Sequence, residues 1–156
     1  MRISTLSKRY IKDISTLCVD SFLDGEYSYY LQKGNLAGLD KFIDFCSVAN
    51  LQNKFDDKHL FLGAFDQNTL VGTCCINLTI GNILLMFVDK DYQKQGIGKN
   101  LLAEIEKAAK QNNLSKITVD STHYSVDFYK TNGYEIISKE YILDGGLIFT
   151  TLTKKL

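Results

Sequence analysis

Proline is absent from these 156 residues, and every aromatic residue is a Tyr or a Phe. Without proline, loops and boundaries must be read from glycine and from loss of periodicity. No sign of charge dominates either. Eighteen Lys and Arg stand against eighteen Asp and Glu with no basic tract or arm, so a nucleic acid partner is not expected. No apolar run approaches membrane-spanning length. The opening Met-Arg-Ile-Ser-Thr-Leu alternates like a strand and lacks the apolar centre of a signal peptide. A cytoplasmic protein without membrane association is therefore expected. Histidine is scarce, with His59 and His123 alone. The four cysteines, Cys18, Cys46, Cys74 and Cys75, form no C-x-x-C pair and have no histidine at ligand spacing. That spacing argues against a metal site and against a disulfide framework. Buried reduced thiols are expected instead, with Cys74 and Cys75 facing opposite sides of a strand.

What remains is enough for one domain over residues 1–156, with a proper core. Residues 1–6 predict a strand. From Arg9 to Phe22 the apolar positions Ile11, Ile14, Leu17, Cys18 and Phe22 follow helical spacing. Leu23 to Tyr30 mixes acids with tyrosines and fits neither period. Leu36, Leu39, Phe42, Ile43 and Cys46 predict a second helix with Asn35 as its N-cap, and residues 50–58 read as loop. His59–Phe65, Thr69–Leu78 and Ile83–Val88 predict three strands joined by turns at 66–68 and 81–82. After a further helix and a strand at Ile117–Asp120, a closing hairpin is expected from Glu135–Leu143 and Leu147–Thr153 around Asp144-Gly145-Gly146. Periodicity alone thus yields an α/β domain.

The informative stretch is Tyr92-Gln93-Lys94-Gln95-Gly96-Ile97-Gly98-Lys99. A buried strand enters it, and an amphipathic helix with Ile97, Leu101, Leu102, Ile105, Ala108 and Ala109 on one face leaves it. Gly96 and Gly98 let a ligand approach the backbone. The first helical N–H groups and the helix dipole favour an anion there, and Lys94 and Lys99 add charge. The turn is suited to a phosphate or pyrophosphate. A Walker loop would need glycine at Gln93 and Ser or Thr at Asn100. A Rossmann fingerprint would need glycine at Leu101 and no Asp89–Gln95 insertion after the strand, so Asp120 only imitates its ribose-binding acid.

The pattern Gln93-x-x-Gly96-x-Gly98 resembles the acyl-coenzyme A pyrophosphate loop of the GNAT (GCN5-related N-acetyltransferase) superfamily. One helix and one strand later, Phe128-Tyr129-Lys130-Thr131-Asn132-Gly133-Tyr134 resembles the later motif of the same superfamily. Thr122 stands where its members usually carry Asn or Ser, and Ser125 where they usually carry Ala. The resemblance covers roughly residues 72–134. It implies a mixed, mostly antiparallel sheet, splayed between the fourth and fifth strands and flanked by helices. It also implies an N-acetyltransferase that takes acetyl-CoA as donor and a primary amine as acceptor, by direct attack on the thioester.

By that resemblance, the backbone of Met86, Phe87 and Val88 pairs with the pantetheine arm, and the Met86 N–H reaches the thioester oxygen. Gln93, Lys94, Gln95, Gly96, Ile97, Gly98 and Lys99 hold the pyrophosphate, Thr122 adds to the cofactor contacts, and Tyr129 meets the sulfur. A phenol is protonated at neutral pH and can donate to a departing thiolate. For the general base, Asp24, Glu26, Asp89, Asp120, His123 and a water chain all stay open. The acids and tyrosines of residues 24–30 are expected to line the acceptor side. A non-catalytic acyl-CoA-binding regulatory module is the competing reading, and a nucleotide-binding protein of another class a distant third. The final hairpin offers an edge on which a second copy could pair.

Overall fold

The computed structural model describes all residues from Met1 to Leu156. Alternation at the start becomes β1 (Arg2–Thr5), and one turn of 3-10 helix leads into α1 (Ile11–Gln32). This helix runs ten residues past the apolar pattern that announces it. Its buried positions continue at four-residue steps through Cys18, Phe22, Glu26 and Tyr30. A carboxylate occupies one rung of an otherwise apolar ladder, which is why periodicity stops at Phe22.

Two short helices follow, α2 (Leu36–Phe45) and α3 (Val48–Gln52), so the expected loop at 50–58 begins later. Asn35 precedes α2 without capping it by its side chain. Its Nδ2 instead donates to the Gly146 carbonyl at 2.6 Å, which ties α2 to the distant loop before the last strand. Ile43 is exposed, not part of the buried face.

Strands β2 (His59–Asp66), β3 (Thr69–Asn77) and β4 (Asn82–Val88) form the expected meander. Helix α4 (Ile97–Gln111), β5 (Lys116–Ser121) and α5 (Val126–Thr131) come next. The last elements are β6 (Glu135–Ile136), β7 (Tyr141–Ile142) and β8 (Ile148–Lys155). The spatial order is β1-β2-β3-β4-β5-β8-β6, with β7 also on β8. All neighbours are antiparallel except β4 and β5.

The closing hairpin is interrupted. Between β6 and β7 the Thr151 N–H leaves the strand ladder for Ser138 Oγ at 2.8 Å, and the outer strand breaks there.

The β4–β5 pairing covers two positions only, Asn82 with Thr118 and Ile83 with Val119. Beyond them the strands part. A register irregularity beside Cys75 and Ile76 places an extra β4 residue at the point where divergence begins, which is what a bulge does to a strand. Each face of the sheet carries one apolar cluster. Cys18, Phe22, Phe42, Cys46 and Cys75 belong to the α1–α2 side; Cys74, Leu101, Ile105 and Tyr129 belong to the α4 side. All four cysteines are free and buried, and Cys74 and Cys75 do face opposite ways. No helix is long and apolar enough to cross a membrane.

Candidate active site

The loop between β4 and α4 is built by two left-handed residues. Lys94 has φ 58° and Gly96 has φ 83°, and Gly96 is the N-cap of α4 without a side chain to satisfy the helix. The first intrahelical bond runs from the Asn100 N–H to the Gly96 carbonyl at 3.0 Å. The N–H groups before it are left for a ligand, in an alternating backbone of the kind that forms anion-binding concavities. A side chain at Gly98 would place its Cβ 3.3 Å from the Phe128 ring, so this glycine keeps the loop open against an aromatic wall.

These residues line a cavity of about 420 Å³. Of the residues expected at the cofactor site, Met86, Phe87, Val88, Gln93, Lys94, Gly96, Gly98, Lys99 and Thr122 lie on its wall. Gln95 does not; it is exposed, and its Nε2 donates to the Asp91 carbonyl at 3.1 Å. Ile97 turns its side chain into the core at 3 % exposure, leaving only its backbone N–H to the loop.

Backbone direction along β4 can be read from its register. The Asp89 N–H donates to the Val71 carbonyl, and Phe87 stands opposite Thr73. Alternation in an antiparallel pair then turns the amide groups of Phe87 toward β3. Those of Met86 and Val88 face the open side, where β5 has left. The expectation for Phe87 is thus corrected: it meets the cavity by its side chain. The Val88 carbonyl is already occupied, accepting from Gln93 Nε2 at 3.0 Å and Ser21 Oγ at 3.4 Å. Met86 alone keeps both groups free on the splayed edge.

A second cavity, about 360 Å³, lies between β4, β5, α2 and the loop before β8. Met86, Phe87, Thr122 and Ser125 line both cavities, so the two meet where the strands part. Tyr129 lines the second cavity and not the first. It is 3 % exposed, and burial pushes its phenol far above the usual tyrosine range. Its neighbour Phe128 lines the first cavity.

Sequence reasoning also missed Tyr124. Its N–H donates to Glu26 Oε1 at 2.7 Å, its ring lies against Gly25, and its hydroxyl donates to Gln93 Oε1 at 3.1 Å. One exposed tyrosine thereby straps α1 to the glycine loop. Nothing local marks it, because all three partners are distant in sequence.

Of the groups considered as bases, Asp24 pairs with Lys90 at 3.5 Å on the surface. Asp89 caps the turn at Asp91. Asp120 accepts from Tyr141 and Thr151 at 2.9 and 2.8 Å. His123 stacks on Tyr29 at 4.0 Å and lies 3.9 Å from Glu140. Glu26 alone among them lines the first cavity. No cluster of His, Cys, Asp or Glu could hold a metal ion.

A strand pair opened at one end thus lies beside a helix mouth whose first N–H groups are unpaired. The family model of the acetyltransferase (GNAT) domain matches residues 30–156, and the chain belongs to this family. It is an acetyl-CoA-dependent N-acetyltransferase by class. A Bacillus subtilis (strain 168) protein named provisionally as an acetyltransferase is 28 % identical over 105 residues, 64 % of this chain and 71 % of that protein. A GCN5-related N-acetyltransferase of Rhodopseudomonas palustris shares the fold at TM-score 0.85 and 20 % identity, covering 99 % of this chain and 95 % of that one. The PaiA N-acetyltransferase of Thermoplasma acidophilum, solved with coenzyme A, does so at TM-score 0.79 and 24 % identity over the full length of both chains.

Proposed function

We propose that this protein moves the acetyl group of acetyl-CoA onto a primary amine, the amine attacking the thioester carbonyl directly. The observation that carries the reading is the junction of two cavities at Met86, Phe87, Thr122 and Ser125. One cavity ends at the glycine loop and the other at Tyr129, so donor and acceptor can meet from opposite sides of the splay.

Each residue then has a physical task. The N–H groups at the α4 mouth, with Lys94 and Lys99, hold the diphosphate. The free N–H of Met86 polarises the thioester carbonyl where charge develops during attack. The Tyr129 hydroxyl stabilises the departing sulfur. A phenol held above its ordinary pKa gives up its proton reluctantly, so it serves as a hydrogen-bond donor more than as a proton source. We also propose a homodimer through the outer edge of the sheet, where Ile136, Ile137, Ile142 and Leu143 are all exposed. Such an edge is a template for pairing.

The test is release of free thiol from acetyl-CoA across a panel of primary amines. Steady release with at least one amine is expected. Binding heat with acetyl-CoA but no release with any amine would favour the regulatory, non-catalytic module instead.

A further inference from the structure

Glu26 is the only carboxylate on the wall of the first cavity. It replaces an apolar residue on the buried ladder of α1 and is 2 % exposed. Oε1 accepts the Tyr124 N–H at 2.7 Å. Oε2 is buried and has no hydrogen-bond partner. The Thr122 hydroxyl lies near enough to favour the charged form, yet it donates to Ser125 Oγ at 3.3 Å. No Lys or Arg forms an ion pair with the carboxylate. The titratable groups facing it are His123 from the turn after β5, Glu140 from the break between β6 and β7, and Tyr30 one turn along α1.

A half-satisfied buried carboxylate is costly. A glutamine would accept the Tyr124 N–H equally well without that cost, so anchoring the turn does not account for a charge here. Glu26 shares the wall of the first cavity with Tyr124, Thr122 and Ser125, and the last two border the second cavity as well.

We infer that Glu26 receives the acceptor: its free oxygen binds the ammonium group of a cationic primary amine and takes one proton from it. This rests on the acyl-transfer reading above. The proton moves from the ammonium to Oε2, and the freed lone pair forms the C–N bond at the thioester carbonyl carbon. The C–S bond breaks, and the sulfur leaves with the electron pair and takes a second proton from the same nitrogen. Glu26 returns its proton to solvent, so each turnover releases one proton overall. Burial raises the pKa of Glu26, which makes it a stronger base than an exposed glutamate. The same lone charge disfavours acceptors that carry a carboxylate beside the amine.

The Tyr124 amide is a direct reporter, because it donates to this carboxylate. In the coenzyme A-loaded protein, its ¹H–¹⁵N resonance should titrate with a midpoint above the ordinary glutamate range. Addition of n-butylammonium should lower that midpoint, n-butanol should leave it in place, and Glu26→Gln should abolish the titration while keeping the Tyr124 contact. With the amine that releases thiol fastest in the panel, Glu26→Gln should lose roughly 100-fold in kcat/KM together with its acidic limb. The KM for acetyl-CoA should stay within about twofold, since the proton-transfer role leaves donor binding alone. The inference is overturned if n-butylammonium leaves the midpoint unmoved, or if coenzyme A alone abolishes the titration. It is equally overturned if Glu26→Gln keeps the wild-type pH profile. Should no amine release thiol, the acyl-transfer reading fails, and the resonance still judges Glu26 on its own.

Discussion

Gln93 hangs its side chain between two elements: Nε2 donates to the Val88 carbonyl at 3.0 Å, and Oε1 accepts the Tyr124 hydroxyl at 3.1 Å. The first bond folds the loop back on the strand that feeds it; the second fastens it to the turn after β5. Replacing Gln93 by Ala removes both, each with a net worth of about 1 kcal/mol. Calorimetry should show acetyl-CoA binding weakened roughly 5- to 30-fold, given the tenfold-per-1.4 kcal/mol relation. Unchanged affinity would mean that the loop holds its shape without this residue.

A Cβ on Gly98 would stand 3.3 Å from the Phe128 ring, tighter than ordinary contact, and a branched side chain adds bulk there. Gly98→Val should therefore weaken acetyl-CoA binding by at least about tenfold, because bulk enters the space beside the helix mouth. The far-UV circular dichroism spectrum should be unaltered. Loss of binding together with loss of helicity would point to misfolding instead.

Tyr129→Phe deletes the hydroxyl of a residue that lines the second cavity. No buried partner is orphaned, so thermal stability should hold or rise slightly. Turnover should fall by roughly 10- to 100-fold with little change in the KM for acetyl-CoA, the signature of an interaction made mainly in the transition state. A variant with undiminished kcat would leave Tyr129 as a core residue only.

Alkaline stability follows from the buried thiols. Burial pushes Cys18, Cys74 and Cys75 above the ordinary value of 9.0. The folded chain thus keeps protons that the unfolded chain surrenders. Stability is complete below about pH 9 and declines above it, by up to about 1.4 kcal/mol per pH unit for each thiol. Thermal melts under reducing conditions should show Tm falling steadily from about pH 9 to about pH 10.5. A flat profile over that range would mean that these thiols ionise freely in the fold.

The exposed apolar edge at Ile136, Ile137, Ile142 and Leu143 leads to a hydrodynamic test. Sedimentation should report a dimer, and Ile137→Lys, a charge on an edge strand, should shift it toward monomer. A wild-type monomer at all concentrations would remove the edge-pairing proposal.

Much of this was written locally. Two glycines after an apolar strand, followed by an amphipathic helix, specify the turn into α4, because strand, turn and helix are contiguous and each has its own period. The Phe128-Tyr129 motif is legible through its resemblance to the later GNAT motif. The order of strands β2 to β4 follows from two short turns. By itself, then, the sequence determined the kind of fold, the strand–turn–helix that carries the two glycines and the class of chemistry.

Other features depended on packing between distant segments. Glu26 broke the apolar pattern that would have revealed the second half of α1, and only the folded helix shows its charge enclosed. Phe128 and Tyr129 are adjacent, yet α5 sends them to different cavities. Phe87 and Met86 look equivalent until the register with β3 commits one backbone to the ladder and frees the other. Tyr124 acquires its role from Glu26, Gly25 and Gln93, 98, 99 and 31 residues away in sequence. Periodicity reports which face a residue occupies within its own element. What that face meets is decided only when the elements close on one another.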